Sequence, residues 1–227
     1  MHTIIKTLHK TILFKGKTLN EVEILLKKTN FKVKIYDNNS IIFGVEDPTT
    51  QIGIILSGAV EVQKNLSTGK TVIILNHEKG SLIGQGSVFS RTHYYPCNMY
   101  AKKNTKILII SKESFLSLLA SDTLILNNFL HSFANRILLL NQQTELLSYS
   151  SIHKKIAFSL LHMFTNLRNG QIIKLPYTKK EWSEHLNVSR PSLFRELKTL
   201  CEQDILHIQK RTITILDEEA LVRILFN

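Results

Sequence analysis

The stretch TKKEWSEHLNVSRPSLFRELK, residues 178–198, leaves the chain few local options. Thr178, with Glu181 three residues on, makes a capping box, so a helix starts here. Trp182 and Leu186 then share one face at i and i+4. Leu186-Asn187-Val188 reads as a tight turn. Ser189 caps a second helix, and Pro191 falls in its first turn, where a missing N–H costs little. Leu193, Leu197 and Leu200 give that second helix a buried stripe and leave Arg190, Ser192, Arg195 and Lys198 outside. A helix buried on one side and basic on the other fits the major groove of duplex DNA. An ordinary helical hairpin with a solvated basic face fits the same spacing.

The residues that follow favour the first reading. Leu206-His207-Ile208 and Thr212–Ile215 alternate like two short strands around Gln209-Lys210-Arg211. A basic-tipped hairpin behind a helix-turn-helix is a wing, and its Lys210 and Arg211 suit phosphate contacts.

Charge agrees with a polyanionic partner but does not locate it. The formal net charge is +11 over 227 residues. Residues 1–150 hold 17 Lys/Arg against 10 Asp/Glu, and 151–227 hold 12 against 8. The excess is spread over both parts, so it supports attraction to nucleic acid without pointing to a surface. Hydrophobic residues, at 43%, suffice for two cores. Cys97 and Cys201 are far apart and show no ligand spacing, which predicts free thiols in a reducing cytoplasm and no metal site. The N-terminal MHTIIKTLHKTILFKGK is broken by lysines before an apolar signal segment forms. No apolar run approaches the roughly 20 residues that span a bilayer, so a soluble protein with no membrane partner is expected.

Three regions are expected ahead of the wing. Residues 1 to about 30 look helical, with Leu19, Val22, Leu25 and Leu26 on one side. From Phe31 to about Ile110 the pattern becomes short β-runs: Lys32–Tyr36, Ser40–Val45, Gln51–Leu56, Ala59–Gln63, Thr71–Leu75 and Lys106–Ile110. Turn signals at Asp37-Asn38-Asn39, Asp47-Pro48, Ser57-Gly58, Ser67-Thr68-Gly69 and Glu78-Lys79-Gly80 separate them, as in a β-barrel or sandwich. A long helix follows, beginning at Lys112 or Ser121 and ending at Ser148. Its Phe129, Phe133, Ile137, Leu140 and Leu147 form a stripe that a second copy of the helix would cover in a homodimer. Tyr149-Ser150-Ser151 is the joint. Residues 152–167 form another amphipathic helix, and a turn at Asn169-Gly170 leads into a short strand, Gln171–Leu175. The expected domains are 1–120, 121–148 and 149–227.

This α+β order, a β-roll of jelly-roll type, a long dimerisation helix and a C-terminal winged helix-turn-helix, resembles the CRP/FNR family of bacterial transcription regulators. The matching residues are ILSGAVEV (55–62), GKTVIIL (69–75), GSLIGQGSVF (80–89) and TKKEWSEHLNVSRPSLFRELKTL (178–200). The resemblance covers essentially the whole chain. It implies a homodimer on a near-palindromic double-stranded operator, with RNA polymerase as a further partner. By position it implies that Arg190, Pro191, Ser192, Arg195 and Lys198 face DNA, with Thr178, Ser189 and Phe194 beside them. Arg190 and Arg195 can each offer a bidentate fork to guanine, and Ser192 and Lys198 suit phosphates. The catabolite-activator branch has an acidic residue where this chain has Pro191, and small residues are usual at Phe194. The base preference is therefore expected to differ. Phe194 either touches a thymine methyl or packs.

The resemblance also implies a sensory cassette, whose expected pocket residues are Gly84, Gln85, Tyr94, Tyr95 and Cys97. Members that bind cyclic AMP place a Glu where this chain has Gln85, and an Arg-Ser pair where it has Tyr95-Pro96. An anionic phosphate would meet no fixed cation there, unless Arg91 supplied one. The expected effector is a small non-nucleotide molecule, or none. No cofactor is expected: an iron–sulfur member needs four cysteines, and His77, His93 and Cys97 are weak candidates for haem. A redox role for Cys97 would need a depressed pKa, for which only Arg91 and His93 are near in sequence. As an enzyme the chain lacks a GxSxG elbow, a P-loop and an HExxH motif, and Ser183 and His185 are expected on a surface helix. A module that senses an effector and controls a protein partner is the alternative outside DNA binding.

Overall fold

The computed structural model describes residues 1–226, apart from the side chain of Asn166. It divides into two compact units, 1–134 and 135–227.

The first unit opens with α1 (His2–His9), a 3-10 turn (Ile12–Phe14) and α2 (Leu19–Lys28). Thr18 and Glu21 form the capping box of α2. Val22 and Leu26 are buried, while Leu19 is exposed. Six antiparallel strands follow: β1 (Phe31–Tyr36), β2 (Ile41–Phe43), β3 (Gln51–Asn65), β4 (Thr71–Glu78), β5 (Leu82–Ile83) and β6 (Asn98–Ser111). Their order is β1-β6-β3-β4, with β2 also on β6 and β5 on β3. Residues 52–56 of β3 and 107–110 of β6 are buried without alternation, which marks strands covered on both faces. They form the centre of a roll.

The expected turn at Ser57-Gly58 is a correction: β3 runs straight through it. Pairing with β6 shifts register on both sides of Ser57. Gly58 adopts φ +84°, and a Cβ there would lie 2.8 Å from Thr105 Cα. Thr105 Oγ1 donates to the Ala59 carbonyl at 3.0 Å. The glycine is a bulge inside one long strand, and the residue type alone does not tell a bulge from a turn. The other turn signals behave locally, with Asn39, Gly69 and Gly80 all at positive φ.

After a short α3 (Gln85–Val88) and β6 come α4 (Lys112–Ser121) and α5 (Thr123–Ser148). These are two helices, broken at Asp122, whose φ of −152° is extended. Asp122 Oδ1 accepts from the N–H groups of Leu124 (3.0 Å) and Ile125 (3.1 Å) and so caps α5. Lys17 Nζ lies 2.5 Å from Asp122 Oδ2. Asn128 donates to the carbonyls of Leu13 (3.0 Å) and Lys15 (2.8 Å). The start of α5 is thereby tied to the N-terminal segment. Phe129 belongs to the core of this unit, edge-on to Phe89, Phe115 and Phe133.

In the second unit α6 (Ile152–Phe158) widens into a π turn (Ser159–Met163), then a 3-10 turn (Thr165–Leu167). The expected continuous helix over 152–167 is thus three pieces. A four-stranded antiparallel sheet orders β7 (Arg168–Asn169), β8 (Ile172–Lys174), β10 (Thr212–Ile215) and β9 (Leu206–Gln209) as β7-β8-β10-β9. Between β8 and β9 lie α7 (Lys179–His185) and α8 (Arg190–Glu202), and α9 (Glu218–Phe226) follows β10. Trp182, Leu186, Leu193, Leu197 and Leu200 join Ile156, Phe158, Leu160 and Ile213 in one core. Ser183, expected on a surface, is buried and donates to the Lys180 carbonyl at 2.7 Å.

Candidate nucleic-acid interface and sensory cassette

Each local signal read in 178–200 has its structural counterpart. Thr178 Oγ1 accepts from Glu181 N, and Glu181 Oε2 accepts from Thr178 N at 2.7 Å, closing the box at the start of α7. Those hydrogen bonds hold the Glu181 carboxyl below its usual range. The turn into α8 passes through Asn187 at φ +52°. Ser189 Oγ accepts from Ser192 N at 3.2 Å, and Pro191 sits in the first turn. Leu193, Leu197 and Leu200 are buried, while Arg190, Pro191, Phe194, Arg195 and Lys198 are exposed and Ser192 is half-buried.

The outer arc is polar but not idle. Arg195 Nη2 donates to Ser192 Oγ at 3.3 Å. Lys198 pairs with Glu202 at 3.5 Å and Lys180 with Glu184 at 4.0 Å, each along its own helix. Such exposed pairs are worth little. Among the described residues no carboxylate pairs with Lys179, Arg190 or Arg195, so these cations are available. The β9–β10 hairpin turns at Lys210, φ +56°, and both Lys210 and Arg211 are exposed at its tip.

Two residues escaped the sequence reading. Lys155 is buried and donates to the Leu186 carbonyl at 3.0 Å, bracing the end of α7 from α6. A cation at a helix C-terminus also complements its dipole. Lys179 places its ammonium 5.0 Å from the Phe194 ring centroid. Nothing in the local sequence sets Lys179 apart from Lys180.

The cassette residues divide by direction. Gly84 is buried at φ +81°, where a Cβ would stand 3.2 Å from Tyr95 Cε1. Tyr95 is 2% exposed, stacks on Phe43 (centroids 4.8 Å apart, 7° between planes) and donates its hydroxyl to the Gln51 carbonyl at 2.6 Å. Burial pushes its phenol up to about 12. Cys97 is buried too, whereas Gln85 is half-buried. Tyr94 faces outward and lines a cleft of about 500 Å³ with Pro48–Thr50, Val88, Ser90–His93 and Lys112. Gly84, Gln85, Tyr95 and Cys97 do not line it. Hydrogen bonds fix its walls: Thr49 N to His93 O (3.1 Å), Thr49 Oγ1 to Thr92 O (2.8 Å) and Lys112 N to Thr50 O (2.9 Å). Arg91, His93 and Lys112 give the cleft three basic groups and no acidic one.

The expected interface residues on α5 fall into two groups. Phe129 is buried and Phe133 partly buried in the first unit, so their burial needs no second chain. Ile137, Leu140 and Leu147 are exposed, as are Leu130, Leu138 and Leu139. Among the described residues no helix is long and apolar enough to cross a membrane, and no group of His, Cys, Asp and Glu could hold a metal ion.

Two family models match the sequence. The cyclic nucleotide-binding domain covers residues 33–122 and the Crp-like helix-turn-helix domain residues 154–224. The chain is 23% identical over 214 residues to the cyclic AMP receptor protein of Thermus thermophilus, covering 94% of this chain and 96% of that protein. Among solved structures, the Thermus thermophilus catabolite activator protein matches with a TM-score of 0.55 at 22% identity, over 95% of this chain and 99% of that one. A CooA mutant from Carboxydothermus hydrogenoformans matches with a TM-score of 0.58 at 16% identity, over 92% and 91%. At such identities the structural likeness is one of fold.

Proposed function

The chain belongs to the CRP/FNR family of DNA-binding transcription regulators, a family not of enzymes, and we propose that it acts as a homodimer on a near-palindromic duplex site. The two α8 helices enter successive major grooves about 34 Å apart, with the β9–β10 wings on the flanking backbone. The observation that carries this reading is the division of α8. Three leucines are buried along one stripe, while Arg190 and Arg195 stand exposed and unpaired by any carboxylate among the described residues. A guanidinium fork matches guanine O6 and N7, and Lys198, Lys210 and Arg211 suit phosphates.

The homodimer rests on α5. Leu130, Phe133, Ile137, Leu140, Thr144 and Leu147 follow each other at alternating three- and four-residue steps, the spacing of a two-helix seam. All but the partly buried Phe133 are exposed in one chain. The test of DNA docking is affinity for random duplex against salt. Its logarithm should fall with log salt by about 0.9 per phosphate neutralised. A flat response would overturn the reading and favour a module that controls a protein partner.

For the sensory unit, we propose a small non-nucleotide anion as the effector, bound in the cleft of Arg91, His93 and Lys112. Two features support this: Tyr95 and Cys97 fill the interior of the cassette, and the cleft carries only basic charge. The names of the relatives point to cyclic AMP for those proteins, and cyclic AMP is the alternative here. Thermal melting with inorganic phosphate or with cyclic AMP separates them. Phosphate should raise the midpoint for the parent but not for Arg91→Ala/Lys112→Ala. Stabilisation by cyclic AMP alone would reverse the assignment.

A further inference from the structure

The outer arc of α8 includes one side chain that phosphate attraction does not explain. Phe194 is aromatic, 40% exposed, and stands one turn after Arg190 on the same face. At about 100° per residue it lies about 60° round the helix from buried Leu197 and about 100° from Arg195. It therefore borders the core stripe and looks out across the polar arc.

Two cations are gathered on its ring. Lys179, the first residue of α7, brings its ammonium to 5.0 Å from the centroid, and the Arg190 guanidinium lies at 5.5 Å. Both distances fall where the ring quadrupole attracts a cation. Neither cation forms an ion pair among the described residues. The ring thus restrains two side chains that otherwise wander, and each cation keeps its donors free. The exposed remainder of the ring, with Pro191, gives the otherwise polar arc its apolar surface.

In the major groove the apolar feature of a base pair is the C5 methyl of thymine. We propose that Phe194 is a specificity-determining residue that reads a thymine methyl, with Arg190 held on its ring towards the neighbouring base edge and Lys179 towards a phosphate. The assignment rests on the docking of α8 proposed above. It adds a base identity that the arginines cannot supply, because their forks address guanine.

The test uses the full-length protein and a duplex selected from a random pool. Each thymine of a half-site is replaced in turn by deoxyuridine, which removes only the methyl group. At one position the parent should lose about fourfold in affinity, the worth of one buried methyl. Phe194→Ala should bind more weakly and show no loss at that position, keeping its responses elsewhere. Phe194→Leu should keep part of the methyl response while losing the cation platform. An indifferent parent at every position, or an undiminished loss in Phe194→Ala, would overturn the assignment. Such results would leave the docking of α8 in place as long as binding still fell with salt. A parent whose duplex binding ignores salt would remove the docking mode and this assignment together.

Discussion

Helices α5 and α8 treat their apolar side chains in opposite ways. In α8 the leucines share one stripe, each at most 3% exposed, and the exposed remainder is polar or charged apart from Pro191 and Phe194. In α5 the apolar residues go all round. Ile125, Phe129 and Leu146 are buried, yet Leu130, Ile137, Leu138, Leu139, Leu140 and Leu147 remain 47–59% exposed. A helix with one stripe is completed by its own core and offers its other side to a ligand. A helix apolar on every side is completed only by further protein surface. Ile137 to Leu140 are consecutive, so they circle the axis and no single partner helix covers all four. The seam proposed above takes Ile137 and Leu140 and leaves Leu138 and Leu139 outside it.

Substitutions can break that contrast, and the largest effect is expected on α5. Leu140→Asp would bury an unpaired carboxylate in the seam, at about 3–5 kcal/mol, and should yield monomers in sedimentation experiments. Leu138→Asp, off the seam, should leave most of the dimer intact. Equal dissociation in both variants, or in neither, would remove the seam. On α8 the expected effect is smaller and of another kind. Arg195→Ala should cost about 1–3 kcal/mol of DNA affinity and relax preference at one base position, with the dimer unchanged. Undiminished affinity and selectivity in a quantitative binding assay would remove Arg195 from the groove.

The smallest effect is a pH dependence in the unit that holds α8. Burial lowers the pKa of His185 below its usual 6.5. The folded unit then binds fewer protons than the unfolded chain, so the contribution is complete above about pH 6.5. It is lost as the pH falls from there through the lower pKa of the folded state. Melting at pH 8 and pH 5 should show the loss, and His185→Gln should flatten it. An unchanged slope in that variant would assign the acid sensitivity to other groups.

The same contrast separates what was legible in the sequence from what was not. The capping box at Thr178, the Asn187 turn, the leucine stripe of α8 and the Lys210-Arg211 tip depend on neighbours within a few residues, so spacing exposes them. The continuity of β3 through Gly58 depends on Thr105, on a strand far along the chain. Asp122 is also held by Lys17, from the far N-terminal segment, and the burial of Phe129 rests on Phe89 and Phe115. In the cassette the sequence grouped Tyr94 with Tyr95. The fold sends the first outward to a cleft and the second inward against Phe43.

By itself the sequence determined the helix pair, its caps, its wing and the polarity of α8, because a cap or a stripe is an interaction between residues a turn apart. Only the tertiary structure decided which apolar residues of α5 its own chain covers, and which cassette side chains plug the roll. It also decided that Lys179 and Arg190 meet over Phe194. Those outcomes turn on contacts between distant segments, and no local periodicity encodes them.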